Sequence, residues 1–168
     1  MHYATDREQF ERKCKRAVNN IDLVSLALEE LHKFWGKAKL VCGPISTGGW
    51  GSVEENRRIF NAVMAALLQK EEPIFDLRPY EERIAFFRAE WRKTLSLENA
   101  RSYYWLVLTE FYYPLIHSGE VAEAYFIEGW HESIGADWMR SEFVKTTTRI
   151  RDLDSREIRD ILTTLETT

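Results

Sequence analysis

The sequence predicts an α/β fold, and three observations support this class. Residues 40–79 are typical of a buried strand, a glycine-rich loop, a capped helix and a second short strand. Residues 124–143 repeat the order strand, loop and helix. Helical segments separate these two junctions, as in βαβ units whose consecutive strands lie parallel. We therefore expect a three-layer sandwich around a parallel sheet, with a pair of helices added at the N-terminus.

Length and composition predict a single domain. The chain has 168 residues, of which 45% are apolar and 30% charged, as is ordinary for a globular protein with one core. Its net charge of -4 gives no reason to expect a nucleic acid polymer as a partner. The two cysteines are too few for a disulfide framework, the N-terminus has no signal-peptide core, and no apolar run can span a membrane. We expect a cytoplasmic protein with a helical extension over residues 1–36 and an α/β core over residues 37–168.

Two helices are predicted before the first strand. A capping box formed by Thr5 and Glu8 opens the first helix. The second helix stops at Gly36, and its apolar positions recur at helical spacing: Val24, Leu28, Leu31 and Trp35. The charged residues between these positions predict solvated outer faces.

A glycine-rich loop follows the first predicted strand, residues 39–42. Four of the eight glycines of the chain lie within nine residues: Gly43, Gly48, Gly49 and Gly51. Ser46 and Thr47 add hydroxyl groups, and Ser52 with Glu55 forms a capping box for the next helix. Backbone N–H groups at a helix N-terminus bind anions readily. The loop is therefore either a phosphate or sugar pocket or a mobile connector with ordinary turn glycines.

The next segment predicts a strand and a helix. Pro73 ends the preceding helix, and residues 74–77 are typical of a second strand. Asp76 at the carboxyl end of this strand is expected near the same pocket, because ligands bind outside the carboxyl ends of parallel strands. Pro79 suits the first position of the following helix.

An aromatic segment predicts a further helix. Ser96 caps this helix and Pro114 ends it. Aromatic residues crowd positions 103–113, so the helix is either part of the core or a dimer face.

The last part of the chain predicts two strands and two helices. Residues 124–128 form the third strand, and Ser133 is the natural N-cap of the helix that follows it. A short last strand and a final helix are indicated by Thr146, Thr148 and Ile150 and by the capping pair Asp154 and Glu157.

Several segments together resemble a known superfamily. The chain contains, in this order, GPISTGG, EENRRIF, PIFDLRP and IEGWHESIGA. This combination resembles the nucleoside 2-deoxyribosyltransferase-like superfamily, with its DUF4406-type branch as the nearest pattern, over residues 39–148. The resemblance implies a flavodoxin-like sandwich whose members cut or transfer the N-glycosidic bond of nucleosides or nucleotides. It also implies no metal and no organic cofactor, a nucleoside or nucleotide as small-molecule partner, and a homo-oligomer.

The resemblance also implies which residues bind the substrate. The residues of the first loop that face the base or sugar are Gly43, Ser46, Thr47, Gly48 and Gly49. Ser133 and Gly135 lie near a 5′-hydroxyl or phosphate, and Trp130 belongs to the same substrate-binding motif.

Cleavage of an N-glycosidic bond requires a carboxylate, which traps the oxocarbenium-like sugar as in retaining glycosidases. The superfamily places a glutamate four residues after the motif glycine, where this chain has Met139. Asp137 lies about 200° around the helix and faces away, whereas Glu142 lies about 60° off and about 4.5 Å further along. Glu142 is therefore the catalytic candidate, with His131 as an assisting acid. Because of Met139, a non-catalytic relative that binds a nucleotide-like ligand or a protein partner is the alternative.

Overall fold

The computed structural model describes residues 3–46, 48–99 and 102–166, with side chains described from residue 8 to residue 164 within these ranges. Thr47, one of the predicted substrate-binding residues, lies outside the described residues. The chain divides into two compact units. Unit 1 consists of the described residues within Met1–Lys33 and Asp76–Leu115, and unit 2 of those within Phe34–Phe75 and Ile116–Thr168. The expected single domain with an extension over residues 1–36 stays a prediction.

One or more helices precede and follow each strand along the chain. In order, they are α1 (Tyr3–Arg16), α2 (Asn20–His32), β1 (Ala38–Cys42), α3 (Val53–Gln69), α4 (Arg78–Lys93), α5 (Tyr113–Ile116), β2 (Val121–Ile127), α6 (Ile134–Phe143), β3 (Arg149–Leu153) and α7 (Ser155–Glu166). Short 3-10 turns occur at Leu97–Asn99 and Trp130–Glu132, and a π-helix at Val107–Tyr112 leads into α5. No helix in the described part of the chain has both the length and the apolar character needed to cross a bilayer.

Unit 2 is built on a parallel sheet of three strands in the order β1-β2-β3. In the register, Lys39 of β1 lies beside Glu123 of β2, and Glu123 lies beside Arg149 of β3. A parallel sheet combined with helices confirms the predicted α/β class. Because all strands point the same way, their carboxyl ends form one edge of the sheet and their amino ends the other.

Helices cover the sheet of unit 2 on both sides. α3 and α7 share one apolar cluster with the sheet, in which Val63 and Ile158 have no exposed surface. α6 contacts the other face, where the rings of Phe126 on β2 and Phe143 lie 6.1 Å apart. Side chains alternate between the faces of a strand, which is why Tyr125 faces α3 and its neighbour Phe126 faces α6.

Unit 1 is helical and rich in aromatic contacts. Tyr80 of α4 is almost fully buried between Phe10 of α1 at 5.4 Å and Phe111 of the π-helix at 5.5 Å. Arg83 of α4 donates hydrogen bonds to the carbonyl oxygen of Ala17 at the end of α1. Phe111 is thus part of the core of unit 1, whereas Trp105 and Tyr113 of the same aromatic segment are half exposed.

The predicted strand at residues 74–77 is wrong. Only Ile74 makes a bridge to Lys39, parallel and isolated, and Leu77 already caps α4. The chain turns because the Asp76 carboxylate accepts the backbone N–H of Arg78 at 3.0 Å. A local side-chain hydrogen bond of this kind competes with the ladder that a strand needs.

Two predicted helix boundaries are also wrong. α2 ends at His32, because Trp35 and Gly36 adopt left-handed backbone with φ 52° and 69°, and the Trp35 side chain is 79% exposed. The helix expected from Ser96 to Pro114 is only a 3-10 turn at first, and helical structure resumes at Trp105. Pro114 does not end it, since α5 continues to Ile116.

Candidate functional site

Two loops meet at the carboxyl edge of the sheet in unit 2. We call residues 43–52, which follow β1, the glycine loop, and residues 128–133, which follow β2, the β2 turn. The backbone N–H of Gly49 donates to the Glu132 carboxylate at 3.0 Å, and the Trp50 indole N–H donates to the Glu128 carbonyl oxygen at 3.1 Å. The structure therefore brings together the two segments that the sequence predicted to line one site.

Glycines allow the backbones of the two loops to touch. Gly48 has φ +65°, and a Cβ there would lie 2.4 Å from the Cβ of Glu132 and 2.6 Å from its carbonyl oxygen. A Cβ on Gly129, whose φ is +88°, would lie 3.0 Å from the Cα of Gly49. Any larger residue at Gly48 is excluded by protein atoms and by the left-handed backbone. Gly48 is thus explained by contact between the two loops, whereas a Cβ on Gly49 would meet Pro44 and Asn56, and one on Gly51 would meet nothing within 4 Å.

Asn56 holds the glycine loop in place. Its side-chain N–H₂ donates to the carbonyl oxygens of Gly48 at 2.9 Å and Ile45 at 3.3 Å, and its side-chain oxygen accepts the N–H of Trp50 at 2.7 Å. The residue is 3% exposed, so the bonds are sheltered from water. Sequence analysis missed this role, although Asn56 lies in the quoted segment EENRRIF at a position that faces back over the start of its helix.

Both helices that begin at this edge are capped as predicted. The Ser52 hydroxyl accepts the N–H of Glu55 at 3.1 Å, and the buried Ser133 hydroxyl accepts the N–H of Ala136 at 3.4 Å. Gly135 lies in the first turn of α6, and the predicted loop residue Ser46 is exposed. The two caps confirm that the helix N-termini of α3 and α6 open at the carboxyl edge.

Two other predicted residues are packed against protein. A Cβ on Gly43 would lie 3.0 Å from the Cβ of Ile127, so this glycine also permits close packing. The Arg140 guanidinium covers the Trp130 ring at 4.3 Å and pairs with Asp152. A cation over the ring face is favourable, and it occupies one face on which a base would stack.

Glu142 lies at the opposite end of α6. Its carboxylate accepts from Lys145 Nζ at 2.6 Å and lies 2.9 Å from His117 Nε2. The Lys145 hydrogen bond, with that of His117, lowers the pKa of this buried carboxyl despite its burial. Nine residues of helix separate Ser133 from Glu142, which is about 13 Å along the axis. The structure therefore does not bring Glu142 to the two loops, and Met139, between them, is buried.

Asp76 belongs to unit 1, whereas both loops belong to unit 2. Its carboxylate is held by the Arg78 guanidinium through two hydrogen bonds of 2.8 and 2.7 Å. This bidentate pair occupies both carboxylate oxygens.

Glu128 and Glu132 of the β2 turn place two carboxylates at the carboxyl edge. The Glu128 carboxylate accepts the Ser155 hydroxyl at the start of α7. Glu132 accepts from Gly49 and keeps a side chain that is 55% exposed, with His131 Nε2 at 3.9 Å. Sequence reasoning missed both residues because it sought an acid after the motif glycine, although both lie in the quoted segment IEGWHESIGA.

Over residues 3–46, 48–99 and 102–166, no three His, Cys, Asp or Glu side chains are arranged to hold a metal ion. The site thus consists of two contacting loops, two capped helix N-termini and two carboxylates at one sheet edge. Comparisons of the chain with family models, with curated proteins and with solved structures found no match.

Proposed function

We propose that this chain binds a nucleoside or nucleotide at the carboxyl edge of its sheet, between the glycine loop and the β2 turn. One observation carries the proposal: the N–H of Gly49 already holds an oxyanion, the Glu132 carboxylate. A ligand phosphate has the same acceptor chemistry and replaces that carboxylate. The nucleoside part of the proposal rests on the resemblance to the nucleoside 2-deoxyribosyltransferase-like superfamily. We also propose that unit 2 is a flavodoxin-like sandwich of three layers. Its layers are α3 with α7, the sheet, and α6, and α1 with α2 is an added helical pair.

Displacement of Glu132 is energetically feasible. Its side chain is half exposed, and a hydrogen bond in such a position contributes only about 0.5–1.5 kcal/mol. A phosphate brings more charge and three acceptor oxygens to the same N–H groups. The positive ends of α3 and α6 open at this edge and favour an anion there.

Cleavage of the N-glycosidic bond is the second candidate function. It is favoured by the exposed carboxylate of Glu132, which is held at the glycine loop and free on its outer side to approach a sugar. In this proposal Glu132 takes the nucleophilic role that the sequence assigned to Glu142. The Glu142 carboxylate is hydrogen-bonded to Lys145 and His117, and Glu142 lies about 13 Å along α6 from Ser133.

The binding proposal is tested with thermal-shift and calorimetric titrations of nucleosides and nucleoside monophosphates. Glu132→Gln removes the negative charge and keeps the shape, so it should tighten monophosphate binding by about tenfold, which is about 1.4 kcal/mol. Nucleoside binding should change far less. Glu71→Gln makes the same charge change just beyond the C-terminal end of α3 and should leave both affinities unaltered.

Three outcomes contradict these proposals. If neither class of ligand shifts the melting curve of the unmutated protein, the binding proposal fails. If Glu132→Gln and Glu71→Gln affect monophosphate affinity equally, the site is not at the glycine loop. Release of free base that persists in Glu132→Gln rules out Glu132 as the nucleophile, and loss of release in Glu142→Gln alone would restore the original assignment.

We also propose that the chain self-associates through unit 1. Large apolar side chains on α4 and on the helical segment 105–116 are exposed: Phe86 at 47%, Trp105 at 50%, Leu106 at 40% and Tyr113 at 46%. Such side chains are typical of interface anchors. Light scattering of the unmutated protein should give a mass above one chain, and Trp105→Lys should reduce it. A single-chain mass at micromolar concentration contradicts this proposal.

A further inference from the structure

A cavity of about 340 Å³ lies between α3 and α7 on the face of the sheet in unit 2. Its floor is apolar and comprises Ala66, Leu67, Leu153 and Ile161, and the buried Tyr125 lies beside it. Ligand sites for small molecules begin at about 300 Å³ and are mostly apolar with a few placed polar groups. The cavity involves none of the residues of the glycine loop or the β2 turn.

Most charges around this cavity are already paired. Arg151 donates to Glu157 at 2.9 Å, and Glu72 accepts from Lys39 at 2.5 Å. Tyr125 has Lys39 and Arg151 near its ring at 5.7 and 5.5 Å. These groups balance one another, so they offer little net attraction to a charged ligand.

Two charged groups of the lining are left over, and they have opposite signs. Among the described residues, neither the Lys70 ammonium nor the Asp160 carboxylate has an ion-pair or hydrogen-bond partner, and both line the cavity. Lys70 lies at the end of α3, and Asp160 lies in the second turn of α7. The apolar floor is thus flanked by one cation and one anion, both on exposed residues and neither paired with another described side chain.

We propose that this cavity binds a zwitterionic small molecule with an apolar body, of the class of a free α-amino acid with a large apolar side chain. The ligand carboxylate pairs with Lys70, its ammonium pairs with Asp160, and its side chain packs on Leu67, Leu153 and Ile161. This site goes beyond the proposed nucleotide site at the carboxyl edge and is independent of it.

The lining argues against a phosphate as the occupant. Its charged members are the cations Lys70 and Arg151 and the anions Glu72, Glu157 and Asp160. The pairs of Arg151 with Glu157 and of Glu72 with Lys39 leave one charge of each sign, on Lys70 and Asp160. A dianion would be repelled by the Asp160 carboxylate, whereas a zwitterion satisfies both remaining groups at no cost in net charge.

The test compares three probes by calorimetry on the full chain. They are phenylalanine, its N-acetyl derivative, which lacks the ammonium, and phenethylamine, which lacks the carboxylate. Phenylalanine should bind at least about tenfold more tightly than either analogue, as expected for the loss of one charge-assisted hydrogen bond. Leucine and tryptophan should bind as well, and glycine should not.

Variants then assign each charge to its partner. Lys70→Met should weaken the binding of phenylalanine by about tenfold and leave the affinity for phenethylamine unchanged. Asp160→Asn should weaken the binding of phenylalanine and leave the affinity for the N-acetyl derivative unchanged. Lys37→Met, an exposed lysine outside the lining, is the matched control and should have no effect. Ala66→Leu should remove binding by filling the floor, and the nucleotide titrations should be unaltered in all these variants.

Equal affinities for the three probes, or no binding of any apolar amino acid to the unmutated protein, overturn the proposal. So does an unchanged phenylalanine affinity in both charge variants. The nucleotide titrations depend on a different set of residues. The amino acid site can therefore be disproved without affecting the proposed nucleotide site, and the reverse also holds.

Discussion

The two ends of the sheet in unit 2 are held together in different ways. At the carboxyl edge, backbone meets backbone at Gly48 and Gly129, and the uncharged Asn56 ties the loop down. At the amino end, charged side chains do this work, because Glu123 bridges Lys39 and Arg149. One end therefore depends on shape and the other on charge, and the two should respond to different perturbations.

The charged end is buried enough for its pairs to matter. Glu123 is 4% exposed and lies 3.0 Å from Lys39 Nζ and 2.6 Å from Arg149. Burial opposes its ionisation, but the hydrogen bonds from Arg149 and Lys39 outweigh burial and lower its pKa. Hydrogen bonding to Glu72 in turn raises the pKa of Lys39. Both partners are thus held in their charged forms.

Gly48→Ala should give the largest loss of stability. The new Cβ meets Glu132, and alanine must adopt the left-handed backbone, so the two costs together are about 3–4 kcal/mol in the free energy of unfolding. Gly51→Ala is the control, since Gly51 has φ +101° but no atom within 4 Å of the added Cβ, and it should lose only about 1–2 kcal/mol. Urea unfolding measures both, and equal losses would mean that the contact with Glu132 is unimportant.

Glu123→Ala should give the next largest loss, about 2–3 kcal/mol, because it removes a buried carboxylate that accepts hydrogen bonds from both Lys39 and Arg149. The loss should shrink in acid, where the native carboxyl is itself protonated. Glu54→Ala, at an exposed position in the first turn of α3, provides the comparison. A loss for Glu123→Ala within experimental error of that control would show that charge does not hold the amino end.

Asn56→Ala should destabilise the protein by about 2 kcal/mol, since it orphans the N–H of Trp50 and the carbonyl oxygen of Gly48. Unlike the loss for Glu123→Ala, this loss should be the same at neutral and acidic pH. Asn61→Ala changes the same residue type at an exposed position of α3 and should be neutral or slightly stabilising, because alanine has the higher helix propensity. A pH-dependent loss for Asn56→Ala would contradict the division between the two ends.

Glu142→Gln should have the smallest effect, about 1 kcal/mol at pH 7. The pKa of Glu142 is lowered in the folded protein, chiefly by Lys145, so its contribution is present above the ordinary carboxyl pKa of 4.5 and is lost as pH falls through the lowered value. The difference in unfolding free energy between the two proteins should therefore vanish in acid. A difference that persists at low pH would mean that packing, and not charge, explains the effect.

The helix caps were predicted well from the sequence, whereas the strand at residues 74–77 and two helix boundaries were not. The caps Ser52, Ser133 and Asp154 form as expected, since each bond spans only two or three residues, such as the N–H groups of Arg156 and Glu157 on Asp154. The α/β class is confirmed because strands and helices follow periodicity. The parallel sheet is confirmed because helices connect its strands in the chain, as crossover connections of parallel strands do.

The site was predicted less completely because its contacts are distant in sequence. Gly49 and Glu132 are 83 residues apart, and nothing in either segment shows that they touch. The loop glycines were therefore interpreted as part of a ligand pocket, although in the structure Gly48 makes room for the β2 turn and Gly49 for Pro44 and Asn56. Glu142 was predicted as the catalytic residue from its position on the helix. Its partner His117 lies 25 residues earlier, so a local sequence pattern does not indicate this contact either.

The order of the two units along the chain has a consequence for biosynthesis. The segments of the two units alternate along the chain. Unit 1 is complete at Leu115, whereas the second segment of unit 2 only begins at Ile116. A nascent chain therefore contains all of unit 1 while β1 still lacks its neighbour β2. At a synthesis rate of 5–20 residues per second, the glycine loop waits about 4–17 s for Glu132 to be made. Closing a loop of that length costs about 4 kcal/mol of chain entropy, which the contacts at the carboxyl edge must offset once Glu132 has been made.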